Sequence, residues 1–131
     1  MIDHTGVSVR DFAASKAFYT AALAAIGYAK LLEFGPEVTG SVAVAGFGEP
    51  PKPDFWIYAG EPNRPAIHVA FRVTTRAQVR AFHAAALAAG GQDNGPPGIR
   101  AHYHPKYYGA FVHDLDGHNI EAVCHDPEDH S

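Results

Sequence analysis

Residues 2–27 read IDHTGVSVRDFAASKAFYTAALAAIG, and residues 67–91 read IHVAFRVTTRAQVRAFHAAALAAGG. The two stretches align when His4 is placed on His68, and the same shift places Phe18 on Phe82 and Gly27 on Gly91. Alanine matches in the two stretches carry little weight because alanine is a common helix former. The paired histidines, phenylalanines and glycines indicate an internal duplication.

Each copy of the repeat predicts a strand followed by a helix. Alternating residues indicate short strands over Ile2–Val7 and His68–Val73. Asp11 and Thr75 follow as the predicted N-caps, and glycines end both helices because glycine tolerates the left-handed conformation there. The repeat unit therefore begins βα.

Further strands complete each copy. In the first copy they are predicted at Tyr28–Phe34, Ser41–Gly46 and Phe55–Ala59. In the second copy a loop at Asn94–Gly98 precedes strands at Tyr107–His113 and Asn119–Cys124, and Gly60–Pro65 is the predicted linker. We predict an α+β fold in which one domain, residues 1–131, holds two tandem βαβββ modules of about residues 1–60 and 66–125.

Composition excludes several functional classes. The chain of 131 residues is 47% apolar and 18% charged, which is typical of a globular domain. Its net charge of −4 and the lack of basic runs argue against nucleic acid as a partner, and no apolar run is long enough for a membrane span. A lone cysteine, Cys124, and no recognisable leader favour the cytoplasm. Nine histidines instead draw attention to metal and proton chemistry.

The repeat, with a histidine at the first strand of each copy, resembles the vicinal oxygen chelate superfamily. That superfamily includes glyoxalase I, extradiol dioxygenases, methylmalonyl-CoA epimerase, fosfomycin-resistance enzymes and bleomycin-binding proteins. The residues that carry the resemblance are IDH at 2–4, HVAF at 68–71 and DLDGHNIE at 114–121. It implies a cupped mixed sheet with the helices outside, and it covers nearly the whole chain.

The resemblance also implies a metal site. His4, His68 and Glu121 match the positions of the superfamily's ligands, and the fourth position falls on Trp56 or Ile57. Two histidines and a carboxylate suit one divalent ion of iron, manganese, nickel or zinc, and they leave positions open for substrate. We therefore expect a metal-dependent lyase, isomerase or dioxygenase acting on a small oxygen-bearing molecule.

Two alternatives to that expectation remain. Each histidine alone could be a hydrogen-bonded strand residue, and bleomycin-type proteins of the superfamily bind small molecules without catalysis. Related chains often share a site between subunits, so a homodimer is expected. Ser8 stands where glyoxalase I carries a glutathione-binding arginine, which disfavours glutathione as substrate.

The last hairpin predicts which residues surround Glu121. A turn at Asp114–Gly117 pairs Phe111 with Glu121 and places Tyr107 on the metal side. Tyr108 then faces the layer under a helix. His102 and His104 precede this strand, so we expect His102, His104 and Tyr107 to carry protons or anchor substrate.

Two further expectations concern Phe111 and the remaining histidines. Extradiol dioxygenases carry a tyrosine at the position of Phe111, so rapid cleavage of simple catechols is not expected. Cys124 is predicted to be a small core residue. His83, His125 and His130 are predicted to be solvated, and the His102-x-His104 pair could also be a surface feature of a long loop.

Overall fold

The computed structural model describes residues 1–126 of the chain. Within that range no helix is long and apolar enough to cross a membrane. The elements follow in this order: β1 (Thr5–Val9), α1 (Phe12–Ala24), β2 (Ala29–Phe34), α2 (Pro36–Thr39), β3 (Val44–Gly48), β4 (Phe55–Ala59), β5 (His68–Val73), α3 (Arg76–Ala88), β6 (Gln92–Ile99), β7 (Tyr108–His113) and β8 (Asn119–Cys124).

The two long helices begin as the sequence predicts. Asp11 caps α1 by accepting a hydrogen bond from the backbone N–H of Ala14, and Thr75 with Gln78 forms a reciprocal capping box at α3. Gly27 follows α1 with a φ of 87°, a left-handed conformation that favours glycine. Both helices start and end at equivalent positions of the repeat.

The strands form two four-stranded mixed sheets, one in each module. Sheet A has the order β1-β4-β3-β2, and sheet B has the order β5-β8-β7-β6. The first and last strands of each module run parallel, and the other neighbours are antiparallel. This topology confirms the predicted α+β fold of two tandem βαβββ modules.

Three predicted boundaries were wrong. Strand β1 begins at Thr5, so His4 lies just before it, and β3 is Val44–Gly48 rather than Ser41–Gly46. The predicted loop at Asn94–Gly98 lies inside β6. Prolines are tolerated there because, within residues 1–126, β6 is an edge strand paired with β7 alone, with register shifts on both sides of Gly95.

A single core joins the two modules. Buried side chains of both sheets and of both long helices form one continuous apolar cluster. Phe55 of sheet A and Phe71 of sheet B make an edge-to-face contact with ring centroids 5.3 Å apart. The modules therefore bury their apolar faces together, and this fixes their relative placement.

The turn before β8 adds a polar clamp between the modules. Tyr19 of α1 donates a 2.5 Å hydrogen bond to the buried carboxylate of Asp114. The fully buried His118 ring lies 3.0 Å from the backbone oxygen of Ser8 through Nε2, and its Nδ1 accepts from the backbone N–H of Ile67. Because Nδ1 accepts a hydrogen bond, Nε2 is the protonated nitrogen of the neutral ring, and it donates a hydrogen bond to the Ser8 backbone oxygen. Residues of one hairpin turn thus hold module two against α1 and β1.

Candidate functional site

Each sheet has one face in the shared core and one face opposite to it, which we call the outer face. In sheet A the core face includes Val7, Phe55 and Ile57, whereas in sheet B it includes Phe71 and Ile120. Successive strand residues alternate between faces. The outer face of sheet A carries Gly6, Val44, Gly46, Trp56 and Tyr58, and that of sheet B carries Ala70, Gly109, Phe111, Asn119 and Glu121.

Glu121 is the centre of the outer face of sheet B. Its side chain is only 1% exposed, although it lies on the face away from the core. One carboxylate oxygen lies 2.8 Å from Nε2 of His68, and the other accepts a hydrogen bond from the hydroxyl of Tyr107. A buried carboxylate is costly unless it is paired or coordinated, and these two contacts provide that compensation.

Tyr107 reaches Glu121 across a glycine. A Cβ built at Gly109 would lie 3.2 Å from the Tyr107 ring and 3.4 Å from the Glu121 carboxylate, so glycine leaves room for both groups. Partial burial, and then the hydrogen bond to Glu121, raise the pKa of the Tyr107 phenol well above its usual value. The phenol therefore stays protonated at neutral pH and acts as a donor.

His4 does not join His68 and Glu121 in a metal-binding group of the same chain. It lines a cavity of about 460 Å³ on the outer face of sheet A, together with Lys52, Trp56 and Tyr58. His68 instead lines a separate groove at the junction of the modules. Across residues 1–126, no three His, Cys, Asp or Glu side chains are placed so that they could hold a metal ion. One chain brings together two of the three predicted ligands, His68 and Glu121.

Strand register identifies the residue equivalent to Glu121 in module one. Gly6 pairs with Trp56 across β1 and β4, and Ala70 pairs with Glu121 across β5 and β8. Since Gly6 and Ala70 are equivalent in the repeat, Trp56 rather than Ile57 is the residue of module one that corresponds to Glu121. Its indole lies over Gly46, where an added Cβ would come within 2.9 Å of the ring.

The segment between β6 and β7, which we call the 100–107 loop, carries the remaining candidates. Rings of His102 and Tyr103 lie 4.1 Å apart, and those of Tyr103 and Tyr107 lie 4.8 Å apart. The backbone N–H of Arg100 donates to the carbonyl of Tyr107, which closes the base of the loop. His102 is exposed and lines a cavity on sheet B.

His104 is held more firmly than His102. Its Nδ1 accepts a hydrogen bond from the backbone N–H of Lys106, so Nε2 carries the proton in the neutral ring. That Nε2 lies 2.8 Å from Nδ1 of His125 and donates to it. Both ring nitrogens of His104 therefore have partners within the protein.

Two histidines expected in solvent have partners instead. His83 has a side chain that is only 13% exposed, and its Nε2 lies 2.9 Å from the carboxylate of Asp93. His125 is half-buried against His104. Sequence periodicity missed both because their partners come from other elements. His130 lies outside the described residues.

Other predictions for sheet B are confirmed. Phe111 pairs with Glu121 across β7 and β8, as the turn geometry predicts. Tyr108 faces the helix layer, where its ring lies 4.9 Å from the guanidinium of Arg76. Cys124 is a buried free cysteine of the core.

Comparison with protein families gives one assignment. The model of the glyoxalase/bleomycin resistance protein/dioxygenase superfamily matches residues 1–122. The chain belongs to this superfamily. The resemblance that the sequence motifs predict is thereby confirmed. Comparison with curated proteins found no match.

Solved structures of superfamily proteins share the fold. A glyoxalase/bleomycin resistance protein from Albidiferax ferrireducens T118 is 28% identical, with a TM-score of 0.74 over 93% of this chain and 96% of that one. A glyoxalase/bleomycin resistance protein/dioxygenase family enzyme from Burkholderia phytofirmans PsJN is 20% identical, with a TM-score of 0.67 over 94% of this chain and 97% of that one.

A third structure contains a metal. A mutant of the genomically encoded fosfomycin resistance protein FosX from Listeria monocytogenes, in complex with Mn(II) and 1S,2S-dihydroxypropylphosphonic acid, is 17% identical. Its TM-score is 0.67 over 94% of this chain and 90% of that one. At this identity the likeness shows the fold alone.

The donor chemistry of the outer face of sheet B fits a divalent ion. His68 and Glu121 present one imidazole nitrogen and one carboxylate in contact with each other, and transition ions such as manganese, iron, nickel and zinc bind that combination. Tyr107 would orient the carboxylate from the second oxygen, as outer hydrogen bonds commonly do for metal ligands. Among residues 1–126, no further His, Cys, Asp or Glu side chain joins this pair to form a three-ligand cluster.

Proposed function

We propose that this protein is a metal-dependent enzyme of its superfamily, of lyase, isomerase or dioxygenase type, that acts on a small oxygen-bearing metabolite. The observation that carries the proposal is Glu121. A carboxylate that is 1% exposed, on the face away from the core and in contact with an imidazole, supplies together with that imidazole two of the three proposed ligands.

We further propose that His4 of a second copy completes the site in a cytoplasmic homodimer. The shared core and the Asp114–His118 clamp fix the two modules of one chain with His4 and His68 lining different cavities. His68, Glu121 and a second copy's His4 would hold one ion of iron, manganese, nickel or zinc. Mn(II) in the FosX structure supports a divalent metal for this fold.

When bound, the metal would act as a Lewis acid on a substrate oxygen, or activate dioxygen if it is iron. The chain's own residues have separate tasks. Tyr107 donates to Glu121 and holds its carboxylate in one orientation. His102, which is exposed at the cavity, transfers a proton to or from the substrate. His104 instead supports the loop, because both of its ring nitrogens already form hydrogen bonds.

The reaction type follows in part from Phe111. It stands opposite Glu121 and offers no hydroxyl group beside the metal site. Loss of one positioned donor can lower a rate by two to three powers of ten, so we propose that simple catechols are poor substrates. Oxygen uptake by the Fe(II)-loaded protein with catechol tests this point.

Metal content of purified variants tests the ligand set. We expect about one ion per chain in the wild type and none in the His68→Ala variant. Glu61→Gln is the matched control because its side chain is 88% exposed and lies on the linker. Unchanged metal content in the His68→Ala variant would disprove the assignment.

Mixed dimers test whether the site is shared. We would combine a His4→Ala chain with a His68→Ala chain and isolate the heterodimer with two affinity tags. A shared site leaves one of the two sites intact, so the heterodimer should hold half of the wild-type metal. If both ligands act within one chain, neither site is intact and the heterodimer should hold none.

A specific feature of sheet A favours a second candidate, a non-catalytic small-molecule-binding protein of the bleomycin-resistance type. Trp56 and Tyr58 present aromatic rings to a cavity of about 460 Å³, which suits stacking of a planar ligand. The sequence contains one tryptophan, so its fluorescence reports on this face alone. Ligand binding that persists after metal removal would favour this candidate over the enzyme.

A further inference from the structure

The cavity on sheet B that His102 lines lies beside the His68–Glu121 pair. Its volume is about 290 Å³, and its lining includes Asn94, Arg100, His102, Tyr103, Phe111 and Asn119. The rings of Phe111 and His68 are 6.3 Å apart, and Phe111 pairs directly with Glu121. A molecule in this cavity would therefore lie next to the proposed metal ligands.

Arg100 is held in one orientation at this cavity. Its two terminal nitrogens donate to the backbone oxygens of Gly98 and Pro96 at 2.9 and 2.7 Å. The guanidinium carbon lies 5.3 Å from the centre of the Phe111 ring. These bonds use two of the five N–H donors of a guanidinium, so donors remain for a ligand.

Glycine brings the backbone close to this cation. A Cβ at Gly95 would lie 3.0 Å from both the Arg100 guanidinium and the Phe111 ring. The φ of Gly95 is 149°, within the range that disfavours other residues. The irregular part of β6 is thus shaped around Arg100, which reduces the entropy cost of binding an anion.

Within the cavity lining formed by residues 1–126, no carboxylate neutralises the positive charge of Arg100. Among residues 1–126, the cavity lining includes one arginine and no carboxylate. The charge of Asp93 interacts with that of Arg100, but the Asp93 carboxylate is bonded to His83 and to the backbone N–H of Gly95. The hydrogen bond from His83, more than Arg100, lowers the pKa of Asp93. Asp93 therefore weakens the positive potential without occupying the cavity.

We infer that this cavity binds the carboxylate of a small acid, with Arg100 as the anchor and the rings of Phe111 and Tyr103 against the apolar body. The amides of Asn94 and Asn119 add polar donors at the rim. A planar guanidinium matches a planar carboxylate in a two-point contact. The nearby charge of Asp93 favours a singly charged carboxylate over a doubly charged phosphonate. The inference rests on the proposed function, to which it adds a substrate class.

Titration of the metal-free full chain with three probes tests the inference. Benzoate carries the carboxylate and a ring, benzamide has nearly the same shape without the charge, and phenylphosphonate carries a larger anion. Nuclear magnetic resonance detects weak binding at Phe111, Tyr103 and the Arg100 side chain. We expect benzoate to bind about tenfold or more tightly than benzamide, as charge-assisted hydrogen bonds predict. Equal affinity, or tighter binding of phenylphosphonate, would overturn the assignment.

Substitutions locate the anion. Arg100→Gln should weaken benzoate binding at least about tenfold, and Arg100→Lys should fall between this variant and the wild type. Arg10→Gln is the matched control because it removes the same charge from a side chain that is 63% exposed and paired with Glu61. Unchanged benzoate affinity in Arg100→Gln would contradict the inference.

A gain of affinity separates recognition from loop collapse. Asp93→Asn removes the nearby negative charge and should tighten benzoate binding about twofold to threefold, an effect that misfolding does not produce. His68→Ala should lose metal but keep benzoate binding, whereas Arg100→Gln should do the reverse. Failure of the metal proposal and failure of the anion proposal are therefore distinguishable.

Discussion

Modules one and two place contrasting residues on the same scaffold. At the equivalent position of the last strand, module one has Trp56 and module two has Glu121. The residues paired with them on the neighbouring strand also differ in size: the small Gly46 pairs with Trp56, whereas the large Phe111 pairs with Glu121. One outer face is thus suited to stacking, and the other to charge and coordination. The core faces, in contrast, remain apolar in both modules.

The largest expected effect concerns the proposed metal-ligand role of Glu121 in module two. Glu121→Gln keeps the shape of the side chain but removes the charge that a metal requires. We expect metal affinity to fall by more than about 100-fold, since even losses of outer hydrogen bonds to ligands cost 10–100-fold. Competition with a fluorescent chelator measures it.

A control for Glu121 comes from the other module. Glu33→Gln removes a carboxylate of β2 that two lysines bind, and it should leave metal affinity unchanged. An equal loss in both variants would show that net charge, rather than the site in module two, sets the affinity.

Making module one more like module two at β1 should destabilise the protein. Gly6 corresponds to Ala70, but a Cβ at Gly6 would lie 2.5 Å from the Trp56 carbonyl oxygen and 2.5 Å from the Tyr58 ring. Because backbone cannot give way easily, Gly6→Ala should lower the free energy of unfolding by about 1–3 kcal/mol. Urea denaturation measures the change.

The reciprocal substitution is the comparison for Gly6. Ala70 is exposed, so Ala70→Gly should cost no more than about 1 kcal/mol, mainly through backbone entropy. Similar losses in both variants would mean that the aromatic rings on sheet A do not determine the need for glycine.

A bond between the modules should matter more than a similar bond within one. Tyr19→Phe removes the donor to the buried Asp114, and we expect a loss of about 1–2 kcal/mol in unfolding free energy. Tyr28→Phe removes a 2.9 Å bond to Asp54 within module one, where water can reach the half-buried carboxylate. Its cost should be below about 1 kcal/mol, and a larger cost than that of Tyr19→Phe would contradict the importance of the clamp.

The smallest expected effect is on the pH dependence of stability. It concerns the connection between the second and third strands, which differs between the two modules. Module one uses the short helix α2, whereas the 100–107 loop contacts His125 through His104. Burial, and then the charge of His104, lower the pKa of His125 below 6.5. As the pH falls through 6.5, the unfolded chain therefore binds more protons at position 125 than the folded chain does, and this lowers stability.

Thermal unfolding at two pH values measures this contribution. Between about pH 7.5 and pH 5.5, His125→Gln should lose less stability than the wild type, because Gln does not titrate. An unchanged pH dependence in His125→Gln would show that the pair with His104 does not contribute.

Local patterns predicted the repeat and the last hairpin well. The N-caps Asp11 and Thr75 and the pairing of Phe111 with Glu121 depend on a few neighbouring residues, so sequence is sufficient for them. The β6 strand was missed because Pro96 and Pro97 usually mark a loop, and only its edge position makes them acceptable.

Features that depend on tertiary placement could not be predicted. Spacing left Trp56 and Ile57 as alternatives because the loop lengths of the two modules differ, and the strand register settles the choice. The separation of His4 from His68 depends on a core and a clamp that join distant segments. The contact of His125 with His104 likewise brings two segments together around Tyr107.

The contrast between Trp56 and Glu121 also bears on how such a chain can arise. A symmetric pair of identical single modules must carry the same residue at both equivalent positions, so a mutation that favours stacking on one face also removes the carboxylate from the other. Joining the two copies in one polypeptide through residues 60–65 removes that constraint. Each copy can then accumulate its own substitutions, so that one gene encodes two modules with different outer faces.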